Sequence, residues 1–338
     1  MEITTIGVDL AKNVFQVHGM NAHGKTVVRK RLSREKFLTF FANLPSCLVA
    51  MEACGSSNFW ARRLKVLGHD ARLISPQFVK PYVKTNKNDF NDAEAICEAA
   101  TRPQMRFVPL KSIEQQDIQA VHRVRQLLVQ QRTALVTQPR GLLREDREYS
   151  PASISQVRHA IAGVLEDAEN ELPDLTRQLM ADLYQRLLEL DRQIADYDRH
   201  IARLSREQPV CQRMEKVEGV GVLTATALMA TVGDAKVFKN GRQMSAWLGL
   251  VPRQHSSGEH NRLFGISKRG DIYVRSLLIH GARSVLLRCK HKTDSKSRWL
   301  QRLIERRGFN RACVALANKN ARTLWALMAH EEDYRLAA

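Results

Sequence analysis

The sequence lacks the patterns that would place it in a membrane or in an oxidising compartment. No apolar run approaches the ~20 residues of a bilayer span, and the N-terminus has no basic-then-apolar signal peptide. The 6 cysteines form no C-x-x-C pair and have no histidine at zinc-ligand spacing. These absences predict a cytoplasmic protein with reduced thiols and no membrane partner.

Acidic residues are few compared with basic ones. Lys and Arg total 53 against 35 Asp and Glu, which gives a formal charge of +18. Residues 268–322 alone contain 15 basic and 3 acidic side chains, a surplus of 12. A chain this basic usually meets a polyanion. A solvated basic face is the alternative, but the concentration in one segment favours nucleic acid and predicts a nucleoid-associated protein.

The first third of the chain alternates between strand and helix patterns. β-Branched residues and a turn signal at 21–24 predict three consecutive strands, and Ser33 is predicted to cap the helix that follows. Two further strands then alternate with helices. The predicted strands are 3–9, 13–20, 25–32, 48–52 and 71–75, and the later helices are 58–67 and 91–101.

Four acidic residues stand out against this pattern. Asp9 and Glu52 each end an apolar strand, whereas Asp89 and Asp92 lie three apart at a helix start. A carboxylate there is unfavourable unless a partner, most often a divalent cation, neutralises it. The order Asp, Glu, Asp, Asp on strand, strand and helix is that of a ribonuclease-H-like nuclease, which cuts phosphodiester bonds with Mg²⁺. A doubly wound α/β fold is the alternative, because the pattern does not fix strand pairing.

Residues 113–206 have the pattern of two long amphipathic helices. Apolar steps of three and four continue to Leu204, and about 33 residues from Asp174 would form an arm of roughly 50 Å. Pro139 is predicted to break or kink the first helix, and Pro151 and Pro173 mark the turn region. The polar side chains at the remaining positions favour a coiled coil that dimerises. A helical hairpin folded onto its own domain is the alternative.

The last part of the chain, from residue 210, contains two glycine-marked segments. Gly219-Val-Gly221 predicts a tight turn between helices, either structural or a helix-hairpin-helix whose backbone amides contact phosphate. The second segment includes Ser257 before a glycine, with Arg253, Lys268 and Arg269 nearby. Such a serine can attack a phosphate while the cations neutralise the developing charge. Ser-Ser-Gly is also a common turn, and the neighbouring serines at 256 and 267 are alternative nucleophiles.

Together these motifs resemble the IS110 family of insertion-sequence transposases. The acidic motifs are Gly-Val-Asp9-Leu-Ala-Lys, Met-Glu52-Ala-Cys-Gly and Lys-Asn-Asp89-Phe-Asn-Asp92-Ala. Val-Glu-Gly-Val-Gly, Gly-Leu-Val-Pro-Arg with Ser257-Gly258, and Gly-Ile-Ser-Lys-Arg-Gly follow in the family's order. The resemblance spans nearly the whole chain.

The resemblance implies an α/β RuvC-like domain (1–110), a helical coiled-coil arm (111–208) and a mainly α C-terminal transposase domain (209–338). It implies that the four acids bind Mg²⁺, that Ser257 links covalently to DNA, and that a structured RNA pairs with donor and target DNA. It also implies dimers or tetramers with shared active sites. A metal-dependent nuclease without serine chemistry and a non-catalytic nucleic-acid-binding protein are the alternatives.

Overall fold

The computed structural model describes residues 2–84, 88–146, 153–258 and 260–334, without the side chains of residues 143–146. The chain divides into two compact units, Met1–Ile113 and Glu114–Ala338. Each unit has its own apolar core. The division into three domains, with boundaries near 110 and 208, remains a prediction, and Pro151 lies outside the described residues.

The first unit is built on one six-stranded mixed sheet. Its strands β1 to β6 are Thr5–Leu10, Val14–Met20, Thr26–Ser33, Leu48–Glu52, Asp70–Ile74 and Phe107–Val108. The first three form an antiparallel meander, β4 and β5 run parallel to β1, and β6 is antiparallel to β5. The order across the sheet is β3-β2-β1-β4-β5-β6. The five predicted strands are confirmed to within two residues, and β6 was missed.

Helices cover both faces of this sheet. They are α1 Lys36–Ala42, α2 Ser57–Val66, α3 Pro76–Val79 and α4 Asp89–Ala100. Phe15 of β2 meets Phe37 of α1 and Trp60 of α2 edge-to-face, which anchors α1 and α2 on one face. On the other face α4 lies so close to β1 that a side chain at Gly7 would meet the α4 backbone at 2.3 Å.

The predicted cap of the first helix was wrong. Ser33 is the last residue of β3, and the N-cap of α1 is Glu35. The strand pairing of β3 with β2 continues to Ser33, opposite Val14, and this ladder holds the residue in extended conformation. Sequence patterns locate such boundaries poorly because strand pairing is a long-range contact.

The second unit is mainly helical. Its helices α5 to α13 are Ile113–Asp146, Ile154–Glu166, Asp174–Glu207, Pro209–Glu215, Val222–Val232, Gly241–Trp247, Ile272–Arg288, Ser295–Arg307 and Phe309–His330. Between α10 and α11 lies a hairpin of β7 Pro252–Ser257 and β8 His260–Ile266. The helices from α8 onward share one apolar core. The segment that ends in Ser-Ser-Gly, a common turn sequence, is therefore largely strand up to Ser257.

The two long helices α5 and α7 pair antiparallel within the chain. Arg125 of α5 contacts Asp198 of α7 at 2.5 Å, and Arg132 contacts Asp191 at 2.8 Å. Of the predicted break or kink at Pro139, the break was wrong, because α5 continues through that residue, and the kink stays a prediction. A proline removes one backbone donor from a helix, and Val136 and Leu142, which lie before and after Pro139, pack in the same apolar cluster.

Helix α7 begins at Asp174, as predicted, and its 34 residues span about 50 Å. Its periodic apolar residues Leu187, Leu190, Ile194 and Ile201 are buried in the single chain. The same spacing that suits an intermolecular seam is thus satisfied largely by the chain's own helices. No helix among the described residues is both long and apolar enough to cross a membrane.

Candidate active site and nucleic-acid interface

Three acidic side chains meet where β1 ends and α4 begins. Asp9 lies near the end of β1, and Asp89 and Asp92 occupy the first turn of α4. One carboxylate oxygen from each lies within 4.8 Å of the other two. The three-residue spacing directs both helix carboxylates to one side. Asn88 caps the helix, because its side chain accepts a hydrogen bond from the Phe90 N–H at 3.0 Å.

Glu52 ends β4, the parallel neighbour of β1, and so lies at the same end of the sheet as Asp9. Burial raises the pKa of its half-buried carboxyl, and the negative charges of Asp9 and Asp92 raise it further. Glu52 is therefore within electrostatic reach of the cluster, although it is not among the three residues whose oxygens lie within 4.8 Å. The chemical role of all four acids remains a prediction.

The acidic cluster fits a divalent cation. Carboxylate oxygens are the ligands that hard cations prefer, and opposite ligands of an ion with ~2.1 Å bonds lie about 4.2 Å apart. Oxygen atoms that all lie within 4.8 Å of one another are close to that separation. Repulsion from Asp9 and Asp92 contributes to the raised pKa of Glu52, and a cation held among them would relieve it.

Sequence reasoning missed two buried polar residues beside this cluster. On β2, Gln16 lies directly opposite Asp9 and His18 opposite Gly7, so both face the side that α4 covers. Both are more than nine-tenths buried. Within the described part of the chain, Gln16 Oε1 and His18 Nδ1 have no hydrogen-bond partner. Burial lowers the pKa of His18. Alternation of these residues with apolar ones along β2 is the signal that could have found them.

Ser257 ends the exposed strand β7 and faces His260 across the hairpin. The neighbouring Ser256 is engaged locally: its hydroxyl donates to Asn261 Oδ1 at 2.5 Å and accepts from Gln254 Nε2 at 2.8 Å. The Ser257 side chain has no such bond to any described residue, so its hydroxyl can meet an external group. This difference supports Ser257 over Ser256 as the nucleophile without testing that role.

Two glycines let the loop that contains Lys268 and Arg269 pack closely against the segment that connects α10 to β7. Gly249, with φ +75°, packs on Arg269, and Gly270, with φ +83°, packs on Trp247. A side chain at either glycine would lie 2.0 Å from the carbonyl oxygen of its neighbour. Lys268 itself adopts a left-handed backbone with φ +54°. The two sequence motifs around 249 and 268 thus form one structural unit.

Arg275 is a second residue that sequence reasoning missed. It is 7% exposed, and its Nη1 donates to the carbonyls of Leu248 at 3.2 Å and Arg269 at 3.0 Å. Charge-assisted hydrogen bonds of this kind are about twice as strong as neutral ones. Arg275 therefore fixes the loop on which Lys268 and Arg269 stand exposed. An arginine at an apolar position of the α11 pattern is the available signal.

Comparisons of the sequence with known proteins identify transposases. The model described as "Transposase IS116/IS110/IS902 family" matches residues 211–298, and a second model described as "Transposase" matches residues 6–146. A "Probable family 20 transposase" of Pseudomonas aeruginosa is 53% identical over 99% of both chains. The transposase for insertion sequence element IS1111A of Coxiella burnetii is 48% identical over 100% of this chain and 93% of its own length.

The chain belongs to the IS116/IS110/IS902 family of transposases. The transposase for element IS1328 of Yersinia enterocolitica, 41% identical over 96% of both chains, adds to this agreement. The protein is therefore a DNA transposase, as the sequence motifs predicted, and DNA is its substrate. The matched ranges include the four acids in one model and Ser257 in the other.

The Gly-x-Gly segment of this transposase connects α8 to α9. Gly219 has φ +86°, and Gly221 is the N-cap of α9, so the predicted turn between helices is confirmed. A side chain at Gly281 of α11 would lie 1.8 Å from the Gly219 carbonyl oxygen, which explains why both positions are glycine. Contact of this turn with nucleic acid remains a prediction.

Three buried cysteines of the transposase are poor candidates for nucleophilic catalysis. All 6 are free, and Cys54 alone among them is exposed. Burial raises the pKa of Cys47 to about 11 and that of Cys97 and Cys211 to about 12. The thiolate is the reactive form of cysteine, so these three thiols are unreactive at neutral pH. A hydroxyl nucleophile remains the better candidate.

Proposed function

We propose that this transposase cuts and rejoins DNA with two sets of residues, an Mg²⁺-binding acidic site and a serine nucleophile. The observation that carries the proposal is the meeting of Asp9, Asp89 and Asp92 within 4.8 Å at the end of the sheet that also holds Glu52. Several carboxylates held together in this way are unfavourable unless a cation binds them.

The topology of the first unit supports a ribonuclease-H-like, or RuvC-like, fold. An antiparallel meander of three strands followed by two strands parallel to the first is the strand arrangement of that fold. The acids stand on β1, β4 and α4, in the order expected of it. The fold therefore supplies a rigid sheet edge from which the carboxylates project.

Asp9, Glu52, Asp89 and Asp92 would hold the metal. Mg²⁺ bound there would polarise the scissile phosphate and stabilise the leaving oxygen. The protein's own contribution is to fix the carboxylates through the cap of α4 and the ends of two parallel strands. Arg253, Lys268 and Arg269 would neutralise phosphate oxygens near the serine.

Ser257 would act by transesterification. Its Oγ forms a bond to phosphorus while the bond from phosphorus to a deoxyribose oxygen breaks, and the serine proton ends on that oxygen. A phosphodiester thus becomes a phosphoserine ester plus a free DNA hydroxyl. Attack by a hydroxyl of another strand reverses the step, releases Ser257 and rejoins DNA without ATP.

The family resemblance further suggests the partners. A structured RNA encoded by the element would pair with donor and target DNA, and Gly219 and Gly221 would contact phosphates through their backbone amides. Dimers or tetramers would form in part through the α5–α7 arm, and they would bring the acidic unit of one protomer to the serine of another. The protein would act on DNA in the nucleoid. Recovery of one discrete RNA with the protein, retained in high salt, tests this part of the proposal.

Replacing Asp92 with Asn tests the acidic site. We expect Asp92→Asn to abolish Mg²⁺-dependent strand cleavage while DNA binding persists, because the change removes a ligand charge and preserves size. Glu94→Gln, on the same helix but outside the cluster, is the matched control and should still cleave. Cleavage by Asp92→Asn at the control rate would show that this cluster is not the metal site.

A further inference from the structure

A groove opens beside the serine hairpin, between β7–β8 and the junction of α12 with α13. Its volume is about 1050 Å³, above the ~300–1,000 Å³ typical of small-molecule pockets. Arg253 and Phe264 line it from the hairpin, Lys268 from the following loop, and Arg307 and Arg311 from the two helices. We refer to it as the hairpin groove.

The hairpin groove is positively charged, and no described acidic residue in it balances that charge. Arg253, Lys268, Arg307 and Arg311 are all exposed, and none of the described residues that line the groove is acidic. Among the described residues, no carboxylate lies within ion-pair distance of these four cations. Four unpaired positive charges around one concave surface attract a polyanion rather than a neutral ligand.

The groove also presents apolar surface, which the charged phosphate backbone of a nucleic acid would not contact. Phe264 is 51% exposed and Leu263 is 66% exposed, both on β8. The Arg253 guanidinium lies 5.9 Å from the centre of the Phe264 ring. An exposed aromatic ring beside a guanidinium is a stacking surface for a nucleobase. Bases of a duplex are already stacked on each other, so this surface favours an unpaired strand.

The groove is close to Ser257 along the same strand. Arg253 and Ser257 are both in β7, four residues apart, which corresponds to about 13 Å at ~3.3 Å per residue. That distance corresponds to about four nucleotides at the 3.4 Å spacing of a stacked strand, and to fewer nucleotides of an extended strand. A strand whose phosphate reaches Ser257 would therefore pass its neighbouring nucleotides over the groove.

We propose that the hairpin groove binds an unpaired stretch of the DNA strand that Ser257 attacks, with phosphates on the four cations and a base on Phe264. This inference rests on the proposed function of Ser257. It assigns to Phe264, Arg307 and Arg311 a role in holding the strand, and it requires the DNA to be locally unpaired beside the cleavage site.

Binding of short labelled oligonucleotides to the full-length protein, without Mg²⁺, tests the proposal. The probes are a 12-nucleotide DNA strand, its duplex and an RNA strand of the same sequence. We expect Phe264→Ala to weaken binding of the unpaired DNA by roughly 5- to 150-fold, the contribution of one stacked base, and to leave duplex binding nearly unchanged. Phe59→Ala, an aromatic residue of the first unit that is 43% exposed, is the matched control.

The charges are tested separately. We expect the double variant Arg307→Ala/Arg311→Ala to reduce the salt dependence of unpaired-DNA binding, with a log–log slope lower by about 1.4 for two phosphate contacts. The control is Arg298→Ala/Arg302→Ala, which removes two exposed arginines of α12 outside the groove. Its affinity for unpaired DNA and its salt dependence should stay close to those of the wild type.

Three results would contradict the assignment of the groove. The lining variants could bind unpaired DNA as tightly as their controls, lose affinity equally for duplex and unpaired DNA, or lose affinity for RNA alone. The proposed function fails differently. If Ser257 forms no link to DNA while Phe264→Ala still weakens unpaired-DNA binding, the serine mechanism is wrong and the groove is a binding site only. If the link forms and no lining variant affects binding, the groove assignment alone is wrong.

Discussion

Glu52 carries a carboxylate in a position that disfavours its charge. Burial is the main reason, and the charges of Asp9 and Asp92 add to it. A group held in this way reduces the stability of the protein when ionised, unless a ligand neutralises its surroundings. The unfavourable charge of Glu52 is thus a residue-level indication that the cluster is built for a cation.

Replacing Glu52 with Gln should separate these two effects. With EDTA at pH 7, we expect Glu52→Gln to melt at a higher temperature than the wild type, because it removes a disfavoured charge. Each kcal/mol corresponds to about 2–4 °C in a protein of this class. Saturating Mg²⁺ should stabilise the wild type, by about 2.7 kcal/mol at a hundred times Kd, and the variant less.

Thermal unfolding with EDTA and with Mg²⁺ measures both effects, with the exposed Glu305→Gln as the control. An undiminished Mg²⁺ effect in Glu52→Gln would show that Glu52 does not contact the ion.

The acids could be predicted from the sequence, whereas their surroundings could not. Asp9 and Glu52 end apolar runs, so the pattern itself makes them conspicuous. Gln16 gains its position only because β2 pairs antiparallel with β1 and places it opposite Asp9. Arg275 becomes significant only because two carbonyls from distant loops converge on it. Strand pairing and hydrogen bonds between distant parts of the chain are long-range contacts, and local sequence patterns do not reveal them.

At the scale of elements, the packing of the α8–α9 turn on α11 depends on a contact between two glycines. A side chain at Gly281 would lie 1.8 Å from the Gly219 carbonyl. We expect Gly281→Ala to lower the free energy of unfolding by about 1–3 kcal/mol or more, since α11 and the α8–α9 turn must separate. Gly163→Ala is the matched control, because no atom of the described residues lies within 4 Å of a side chain there, and it should stabilise α6 by about 0.5–1 kcal/mol.

Urea unfolding of both alanine variants measures these effects. Equal stability of Gly281→Ala and the wild type would contradict the close approach of α11 to the α8–α9 turn.

His122 joins α5 to two helices of the C-terminal core. Its Nδ1 lies 3.0 Å from the Tyr273 hydroxyl and its Nε2 lies 2.9 Å from Thr226 Oγ1. Burial, followed by the charge of Arg125, lowers the pKa of His122 from 6.5 to about 4. The ring is therefore neutral in the folded protein at physiological pH.

This lowered pKa makes part of the stability depend on pH. Above pH 6.5 the histidine is neutral in both states, and between 6.5 and about 4 only the unfolded chain binds the proton. We expect the free energy of unfolding to fall by up to about 3 kcal/mol across that window. Urea unfolding at several pH values should show a smaller fall for His122→Gln. An NMR titration of folded protein with a midpoint near 6.5 would contradict this account.

Elements were predicted best where local patterning decides them. The strands of the first unit and the start of α7 follow directly from apolar periodicity and turn residues. The continuous helix through Pro139 and the burial of the α7 seam depend on which helices pack together. The hairpin at 252–266 was missed because its strands are exposed and mostly polar, and so lack the alternation that marks a half-buried strand.

At the scale of the whole molecule, chemistry and charge are distributed between the two units. The acidic cluster belongs to Met1–Ile113 and Ser257 to Glu114–Ala338. Residues 268–322, with a surplus of 12 positive charges, belong to α11 to α13 and the preceding loop. The proposed reaction therefore requires that an acidic cluster and a serine hairpin meet at one phosphate, with the basic helices holding DNA or RNA nearby.

The most direct test of the account is a covalent link between the protein and DNA. The wild type, Ser257→Ala and Ser256→Ala would each be incubated with labelled DNA containing an end of the element, the purified guide RNA and Mg²⁺, and then denatured. The account predicts a labelled protein band for the wild type and Ser256→Ala, and none for Ser257→Ala. A labelled band of wild-type intensity from Ser257→Ala would contradict the assignment of the nucleophile.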